Sequence, residues 1–311
     1  MKYFFTLVIR NEGVPEVMKI GIISDIHSNI IALKACISYM KSVPCDEYLF
    51  LGDYISDTPY TRETMDYVYD FSSKHNCLFL RGNREDYMLE QRRIIDQGVE
   101  NGKWRWNSAT GNLLFTYRQL NEKDFSFFDS LPITFQYQKT GCPSVTICHG
   151  SPASSRERLF IEGKNIKKWL KDIDTDYLIC AHTHLPGELE YQGKHYYNCG
   201  SVGIAIGTCG YAQCMIIEDV CINGKTAWNP TFLKIPYDNN RVVQDIRISG
   251  LLSKAPWFVN SNIQILLTGT DYSSQLVELA NKLAREAGEQ DFADEKYWRE
   301  AAQRLGVPDY R

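Results

Sequence analysis

From Lys19 onward the chain alternates short apolar runs with stretches of helical period. The run IGII within Lys19–Ser24 is apolar on both faces and stops at the polar Ser24, Asp25 and His27, the pattern of a strand buried on both sides. Apolar residues at 30, 31, 33, 35, 37 and 40 then predict a helix over Asn29–Met40. Tyr48–Leu51, Cys77–Leu80, Val145–Cys148 and Tyr177–Ala181 repeat the theme of an apolar run followed closely by Gly, Asp, Asn or His. Strand character returns at Phe135–Tyr137, Lys194–Asn198 and Cys214–Val220. The long aromatic and amphipathic stretch Glu85–Ser130 predicts two or three inserted helices. After Pro236 the pattern turns helical, over Asn240–Ser253, Ser273–Gly288 and Asp294–Leu305. Strands alternating with helices predict an α/β fold with its chemistry on loops at strand C-termini.

The same pattern divides the chain into an N-terminal extension over 1–17, a main domain over 18–235 carrying the 85–130 helical insert, and a C-terminal helical extension over 236–311. Met18-Lys19-Ile20 reads as a start in its own right. Apolar residues make up 44% and charged residues 23% of the 311, so a disordered chain, a coiled coil and a fibrous repeat are all disfavoured. A formal net charge of −4 predicts no general affinity for nucleic acid or anionic lipid. A phosphate-bearing ligand must then be drawn by a local positive centre. No apolar stretch approaches the ~20 residues that cross a bilayer, so no membrane association is expected. Ten cysteines without a C-x-x-C pair, several inside apolar runs, fit a reduced, cytoplasmic protein.

The residues that follow the strands carry the chemistry: Asp25-Ile26-His27, Gly52-Asp53, Gly82-Asn83-Arg84, His149-Gly150 and His182-Thr183-His184. Four of the six histidines fall in this set, against a background of about one position in fifty. Residues i and i+2 of an extended chain point the same way. On that geometry Asp25 and His27 converge on one ion, and His182 and His184 likewise. Mixed imidazole and carboxylate donors suit Zn, Fe, Mn or Co better than an all-oxygen Ca or Mg cage.

Taken in order, D-x-H, GD, GN, HG and H-x-H resemble the motif series of the calcineurin-like metallophosphoesterase superfamily. The flanking GDYISDTPY, NCGSVG and AHTHLPGE are most similar to its small bacterial phosphodiesterase branch, of YfcE type. The resemblance covers residues 19–220. It implies a four-layer α-β-β-α sandwich with a pair of divalent metal ions at the strand ends. Carried over by motif, Asp25, His27 and His184 would hold the first ion, Asn83, His149 and His182 the second, and Asp53 both. Manganese is favoured, with Fe, Zn, Co or Ni as alternatives. Two divalent ions against two carboxylates leave a positive surplus that an otherwise acidic protein can present to a phosphoester. Metal binding lowers a water pKa from 15.7 to about 7, so the implied reaction is in-line attack by a metal-bridging hydroxide without a covalent phospho-enzyme.

One position departs from the pattern: GNRE stands where the serine/threonine phosphatases of the superfamily read GNHE. Arg84 cannot act as a general acid but can bind phosphate oxygens bidentately. One reading makes Asn83 and Arg84 the catalytic contacts, with Arg84 clamping substrate; the other pairs Arg84 with Glu85, Asp86 or Asp57. The expected function is hydrolysis of a small phosphoester, foremost a phosphodiester. Phosphomonoesters and dinucleoside polyphosphates are alternatives, and a metal-binding interaction scaffold, like the superfamily's retromer subunit, is the alternative of another class. Asn198, Gly200 and Ser201 resemble the family's N-P-G-S loop with Cys199 in place of Pro. Trp104, Trp106 and Tyr117 either line a cleft or form a helix–helix core. His75 and His195 belong to no motif and read as packing or surface residues.

Overall fold

The apolar run Lys19–Ile23 becomes strand β1, and its burial on both faces follows from its place in the middle of a five-stranded sheet. The computed structural model describes residues 17–99, 102–222, 224–289 and 293–311. The extension expected over 1–17 therefore lies outside the described residues, apart from Val17. Helix α1 (Ile30–Ser42), β2 (Glu47–Phe50), α2 (Thr61–Ser72) and β3 (Cys77–Phe79) follow β1. The segment after β3 holds three helices, α3 (Asn83–Asp96), α4 (Gly111–Tyr117) and α5 (Glu122–Ser130). Next come β4 (Thr134–Tyr137), β5 (Val145–Cys148), α6 (Lys164–Asp172), β6 (Tyr177–Cys180), β7 (Gly187–Tyr191) and β8 (Lys194–Asn198). A long hairpin, β9 (Tyr211–Ile222) and β10 (Lys225–Pro236), precedes the helices α7 (Asn239–Ile248), α8 (Leu251–Lys254), α9 (Pro256–Thr268), α10 (Ser273–Glu286) and α11 (Glu295–Leu305).

The first sheet runs β10-β9-β1-β2-β3, with β1, β2 and β3 parallel and Ile22 opposite Leu49. The second runs β4-β5-β6-β8-β7, with β5, β6 and β8 parallel. Ile20, Ile22, Leu49 and Leu51 from the first sheet meet Val145, Ile147, Tyr177 and Ile179 from the second in a shared core. The opposite face of the first sheet packs through Ile23, Phe50 and Ile216 on α1, α2 and α3–α5. The opposite face of the second packs through Leu178 and Tyr196 on Ile166 and Leu170 of α6. The result is the expected four-layer α-β-β-α sandwich. Parallel strands within each sheet bring the loops after β1, β2, β5 and β6 to one end of the sandwich, where the site lies.

Some elements depart from the pattern reading, each for a local reason. Pro230 and Pro236 argue against a strand, yet β10 accommodates them because it is the sheet edge, where a missing N–H leaves no ladder bond broken. The helix expected over Asn240–Ser253 is two, because Gly250 takes a left-handed conformation (φ +82°) between α7 and α8. Helices α2, α6 and α9 and strand β7 were not expected. Proline at the first turn starts α9, which is buried nearly all round and so shows no amphipathic period. Among the described residues, no helix is long and apolar enough to cross a membrane.

Candidate metal centre

The loop after β1 is tied to the loop after β2 by its backbone: Asp25 N donates to the carbonyl oxygen of Gly52 (3.1 Å), His27 N to that of Asp53 (3.0 Å) and Ser28 N to that of Tyr54 (2.9 Å). Gly52 permits this closeness. It sits at φ +95°, and a Cβ there would lie 2.4 Å from the backbone nitrogen of Gly82. The NCGSVG segment braces the first loop from the other side. Gly203 N and Ser201 Oγ both donate to the carbonyl of Asp25 (2.9 Å each), while Asn29 Nδ2 donates to that of Gly203 (3.0 Å).

Two donor clusters result. Asp25, His27 and His184 form one, and Asp53, His149 and His182 the other, the ligand atoms of each within 4.8 Å of one another. In the first, His27 Nε2 faces His184 Nε2 at 3.0 Å, and Asp25 Oδ1 lies 3.2 Å from His184 Nε2 and 3.7 Å from His27 Nε2. In the second, His149 Nε2 lies 3.1 Å from the Asn83 carbonyl oxygen and 3.5 Å from Asp53 Oδ1. The other carboxylate oxygen of Asp53 lies 3.8 Å from His27 Nε2, so Asp53 presents one oxygen toward each cluster.

The tautomers explain why these atoms gather. His149 Nδ1 contacts the carbonyl of Leu51 (2.7 Å) and His184 Nδ1 that of Ile204 (2.7 Å). His27 Nδ1 lies 2.8 Å from Asp57 Oδ2, an ion-pair contact without hydrogen-bond alignment. An Nδ1–H that donates outward leaves the Nε2 lone pair turned inward. His182 is the reverse case: its Nε2 lies 3.3 Å from the Arg156 carbonyl, which turns Nδ1 to the cluster. With the rings neutral, as metal ligands must be, lone pair faces lone pair at 3.0 and 3.1 Å, and Asp25 Oδ1 is buried with no hydrogen-bond donor. Acceptors so opposed repel unless a cation sits among them. At a metal–ligand distance of about 2.05 Å, two ligand atoms of one ion stand about 2.9 Å apart at a right angle and about 3.3 Å apart at the tetrahedral angle, a range that includes both separations. The residues present fit divalent metal ions at both clusters.

Electrostatics agree. Burial pushes against the charge of His27, but Asp25, Asp57 and Asp53 outweigh it and move the imidazole up to about 9, so the carboxylates favour a positive charge here, a proton on the ring when no metal ion is bound. Burial would raise the Asp25 carboxyl, yet His184 and His149 hold it well below the usual carboxylate range. His182 is pushed down to about 2 by burial and by His149, so its ring is neutral, the state that metal binding requires.

One sequence argument needs correction. Asp25, His27, His182 and His184 are not in extended chain; their φ values are +51°, +49°, +66° and +59°. Asp25 and His27 still share a cluster, but through a turn. His182 and His184 diverge, one to each cluster, as the family resemblance implies and the extended-chain argument does not. Arg84 pairs with Asp57 (Nη2 to Oδ2, 2.8 Å) and its Nε lies 4.0 Å from Asp53 Oδ2, buried without a hydrogen-bond acceptor. His75 stacks on Phe71 at 4.2 Å and His195 on Tyr177 at 4.8 Å, both as packing residues.

Two supporting carboxylates escaped the motif reading. Glu85 accepts from the backbone N–H of Asp53, Tyr54 and Gly82, each at 2.9 Å, and so clamps the second loop to the start of α3. Burial, with Asp53 close by, raises it to about 7. Its place three residues after Gly82 is a capping-box position, a signal available in the sequence. Asp57 orients His27, pairs with Arg84 and accepts from Asn112 Nδ2 (2.7 Å). Burial opposes its charge, but Arg84 and His27 hold its carboxyl far below the usual range. The sequence offers it only as a candidate partner of Arg84, which this pairing bears out; its ties to His27 and Asn112 join separate segments that no motif links.

A family model described as calcineurin-like phosphoesterase matches residues 18–186. The uncharacterized protein MJ0912 of Methanocaldococcus jannaschii is 27% identical over 203 residues, covering 59% of this chain and 76% of that one. Among solved structures, the hypothetical protein PH1004 from Pyrococcus horikoshii OT3 superposes with a TM-score of 0.65 at 17% identity, over 82% of this chain and 99% of that one. A metallophosphoesterase from Sphaerobacter thermophilus superposes at 0.58 and 21% identity, over 78% of this chain and 99% of that one. At these identities the two structures establish a shared fold.

Proposed function

Because this chain belongs to the calcineurin-like phosphoesterase family, a family of metal-dependent phosphoester hydrolases, we propose that it is a dinuclear phosphodiesterase acting on a small phosphodiester. The observation that carries the reading is the placement of Asp53, one oxygen turned to each of two three-residue clusters that otherwise share no ligand. Asp25, His27 and His184 hold one divalent ion, and His149, His182 and Asn83 the other, with manganese the first choice. Bound ions of this kind polarise a phosphoryl oxygen and lower the pKa of a coordinated water to about 7.

The protein's own groups do the rest. Leu51, Ile204 and Asp57 fix the imidazole tautomers, so no ligand must reorient during the reaction. Glu85 keeps Asp53 in register with Asn83. Arg84 directs a buried, acceptor-free Nε–H beside Asp53 and binds a non-bridging phosphate oxygen. A guanidinium that stays protonated cannot hand a proton to the departing alcohol. Esters whose leaving groups need little protonation are therefore preferred, which favours aryl and nucleotide diesters.

The test is hydrolysis of bis-p-nitrophenyl phosphate against p-nitrophenyl phosphate by the manganese-loaded protein. The diester is expected to turn over at least about tenfold faster, and a chelator is expected to abolish both. Preference for the monoester, or turnover indifferent to chelator, would overturn the reading. Arg84→Ala is expected to raise the apparent KM.

A further inference from the structure

The metal centre opens into a cavity of about 920 Å³, within the range of small-molecule sites and far larger than a phosphate requires. His27, Asp53, Asn83 and Arg84 line its inner end. Much of the remaining wall comes from residues beyond the family match, in α9, α10 and α11, and from the helical insert. Trp104, Leu113, Ile206 and Phe258 give that wall an apolar and partly aromatic surface.

Polar and charged side chains interrupt it, among them Lys103, Arg158, Glu278 and Asn281, and two further polar side chains are almost fully buried. Asn262 of α9 and Trp298 of α11 both line the cavity while being only 3% and 2% exposed. Asn262 Nδ2 and Trp298 Nε1 are buried and have no hydrogen-bond partner among the described residues. Buried polar groups in native proteins are nearly always paired, because an unmatched N–H forfeits its hydration for nothing. Trp257 Nε1 of α9 is likewise unpartnered but does not line the cavity; the two donors that do, on separate helices, point to a ligand that brings the acceptors.

Resting on the hydrolase reading above, we infer that this chamber receives the organic arm of the phosphoester, and that Asn262 and Trp298 donate to acceptor atoms on its edge. The arm has a flat, apolar face for the aromatic wall and polar atoms at its rim, the chemistry of a nucleobase. A plain alkyl arm would leave both N–H groups unmatched. A carboxamide, by contrast, offers a donor and an acceptor side by side, the arrangement that matches a base edge. The helical insert and C-terminal helices are then the substrate-selecting part of the protein.

The experiment titrates the metal-loaded protein with thymidine 5′-monophosphate and with inorganic phosphate, by calorimetry and by tryptophan fluorescence. The nucleotide is expected to bind at least about thirtyfold more tightly than phosphate. Trp298→Phe, which keeps an aromatic ring, though a smaller one, and removes the N–H, and Asn262→Leu, which nearly keeps the volume, are each expected to cut that ratio about tenfold. The kinetic arm compares the p-nitrophenyl ester of thymidine 5′-monophosphate with bis-p-nitrophenyl phosphate, which share a leaving group. The variants are expected to lower the ratio of their kcat/KM values about tenfold. A nucleotide that binds no better than phosphate, or variants that keep both ratios, would overturn the assignment. Should either variant unfold, the wild-type binding ratio and the other variant decide. Nucleotide binding without hydrolysis of any ester would sink the hydrolase reading and leave the chamber standing; hydrolysis without nucleotide preference would sink the chamber alone.

Discussion

The loops that hold the metal ligands and the helices that wall the chamber are built in opposite ways. Among the described residues nine non-glycine positions have positive φ, and eight of them (Asp25, His27, Ser28, Asp53, Ser56, Asp57, His182 and His184) lie in the metal loops. Such conformations cost on the order of 1–3 kcal/mol each and persist only where the surroundings over-determine them. Here the surroundings are the inter-loop backbone hydrogen bonds and the brace from Ser201 and Gly203. The chamber wall carries no such strain. Helices α7–α11 pack through two ordinary apolar clusters, one around Val259 and Ile263 and one around Trp298 and Leu276. Its departure from routine packing is three unmatched N–H groups, on Trp257, Asn262 and Trp298, of which the last two line the cavity. Chemistry is thus stored in backbone geometry at one end of the cavity and selectivity in side-chain surface at the other.

The comparison breaks most directly at Asp53. Asp53→Asn removes charge from both clusters at once. The expected loss in kcat exceeds the about 100-fold that removal of an outer partner causes, and metal content by elemental analysis should fall with it. A variant that kept both ions and full turnover would show that the strained loops serve something other than metal binding. Asp57→Asn comes next. It weakens the hold on His27 Nδ1 without touching a ligand atom, so metal affinity should fall by about 10–100-fold, with activity restored at saturating manganese.

That ordering also tracks what the sequence discloses. Every ligand lies in a short motif at a strand end, because a metal ion demands particular donor atoms and leaves few residue types to choose from. The α/β character was likewise readable, since β1, β2, β5 and β6 are short apolar runs with polar ends, while the four layers followed only from the family resemblance. The hold of Asp57 on His27 and Asn112 was not readable, because these partners lie in separate segments and any hydrogen-bonding residue suits a loop; only its pairing with Arg84 was among the expectations. The left-handed backbone was not either: Asp and His tolerate it well enough to need no glycine signal. The chamber was least visible, as a lining of Leu, Ile and Trp reads the same whether it faces a ligand or another helix.

Two glycines sharpen the contrast at equal steric cost. A Cβ on Gly203 would meet the Ile26 carbonyl oxygen at 1.9 Å, and one on Gly111 the Lys254 carbonyl oxygen at 2.0 Å. Each alanine variant should lose about 1–3 kcal/mol of stability by forcing backbone apart, measured by urea denaturation. Their functional effects should differ. Gly203→Ala pushes on the Asp25–His27 loop and should reduce bound metal. Gly111→Ala separates the insert from α8 and should leave metal content alone while raising KM. Equal losses of metal in both would erase the division between the two regions.

The smallest expected effect tests where the chamber ends. Trp104 and Trp106 are two residues apart and indistinguishable by composition. Yet Trp104 is 8% exposed and lines the large cavity, whereas Trp106 is 39% exposed and does not. Arg118 and Lys254 each sit 4.8 Å from the Trp106 ring, a cation–π arrangement on the outer surface. Exposed pairs of this kind contribute about 0.5–1 kcal/mol. Trp106→Ala should therefore cost no more than about 1–2 kcal/mol of stability and leave KM within about twofold. Trp104→Leu, which removes an aromatic surface from the cavity, should raise KM for a nucleotide ester more than for bis-p-nitrophenyl phosphate. If the two tryptophans proved interchangeable in KM, the boundary of the chamber would have to be redrawn to include the outer face of the insert.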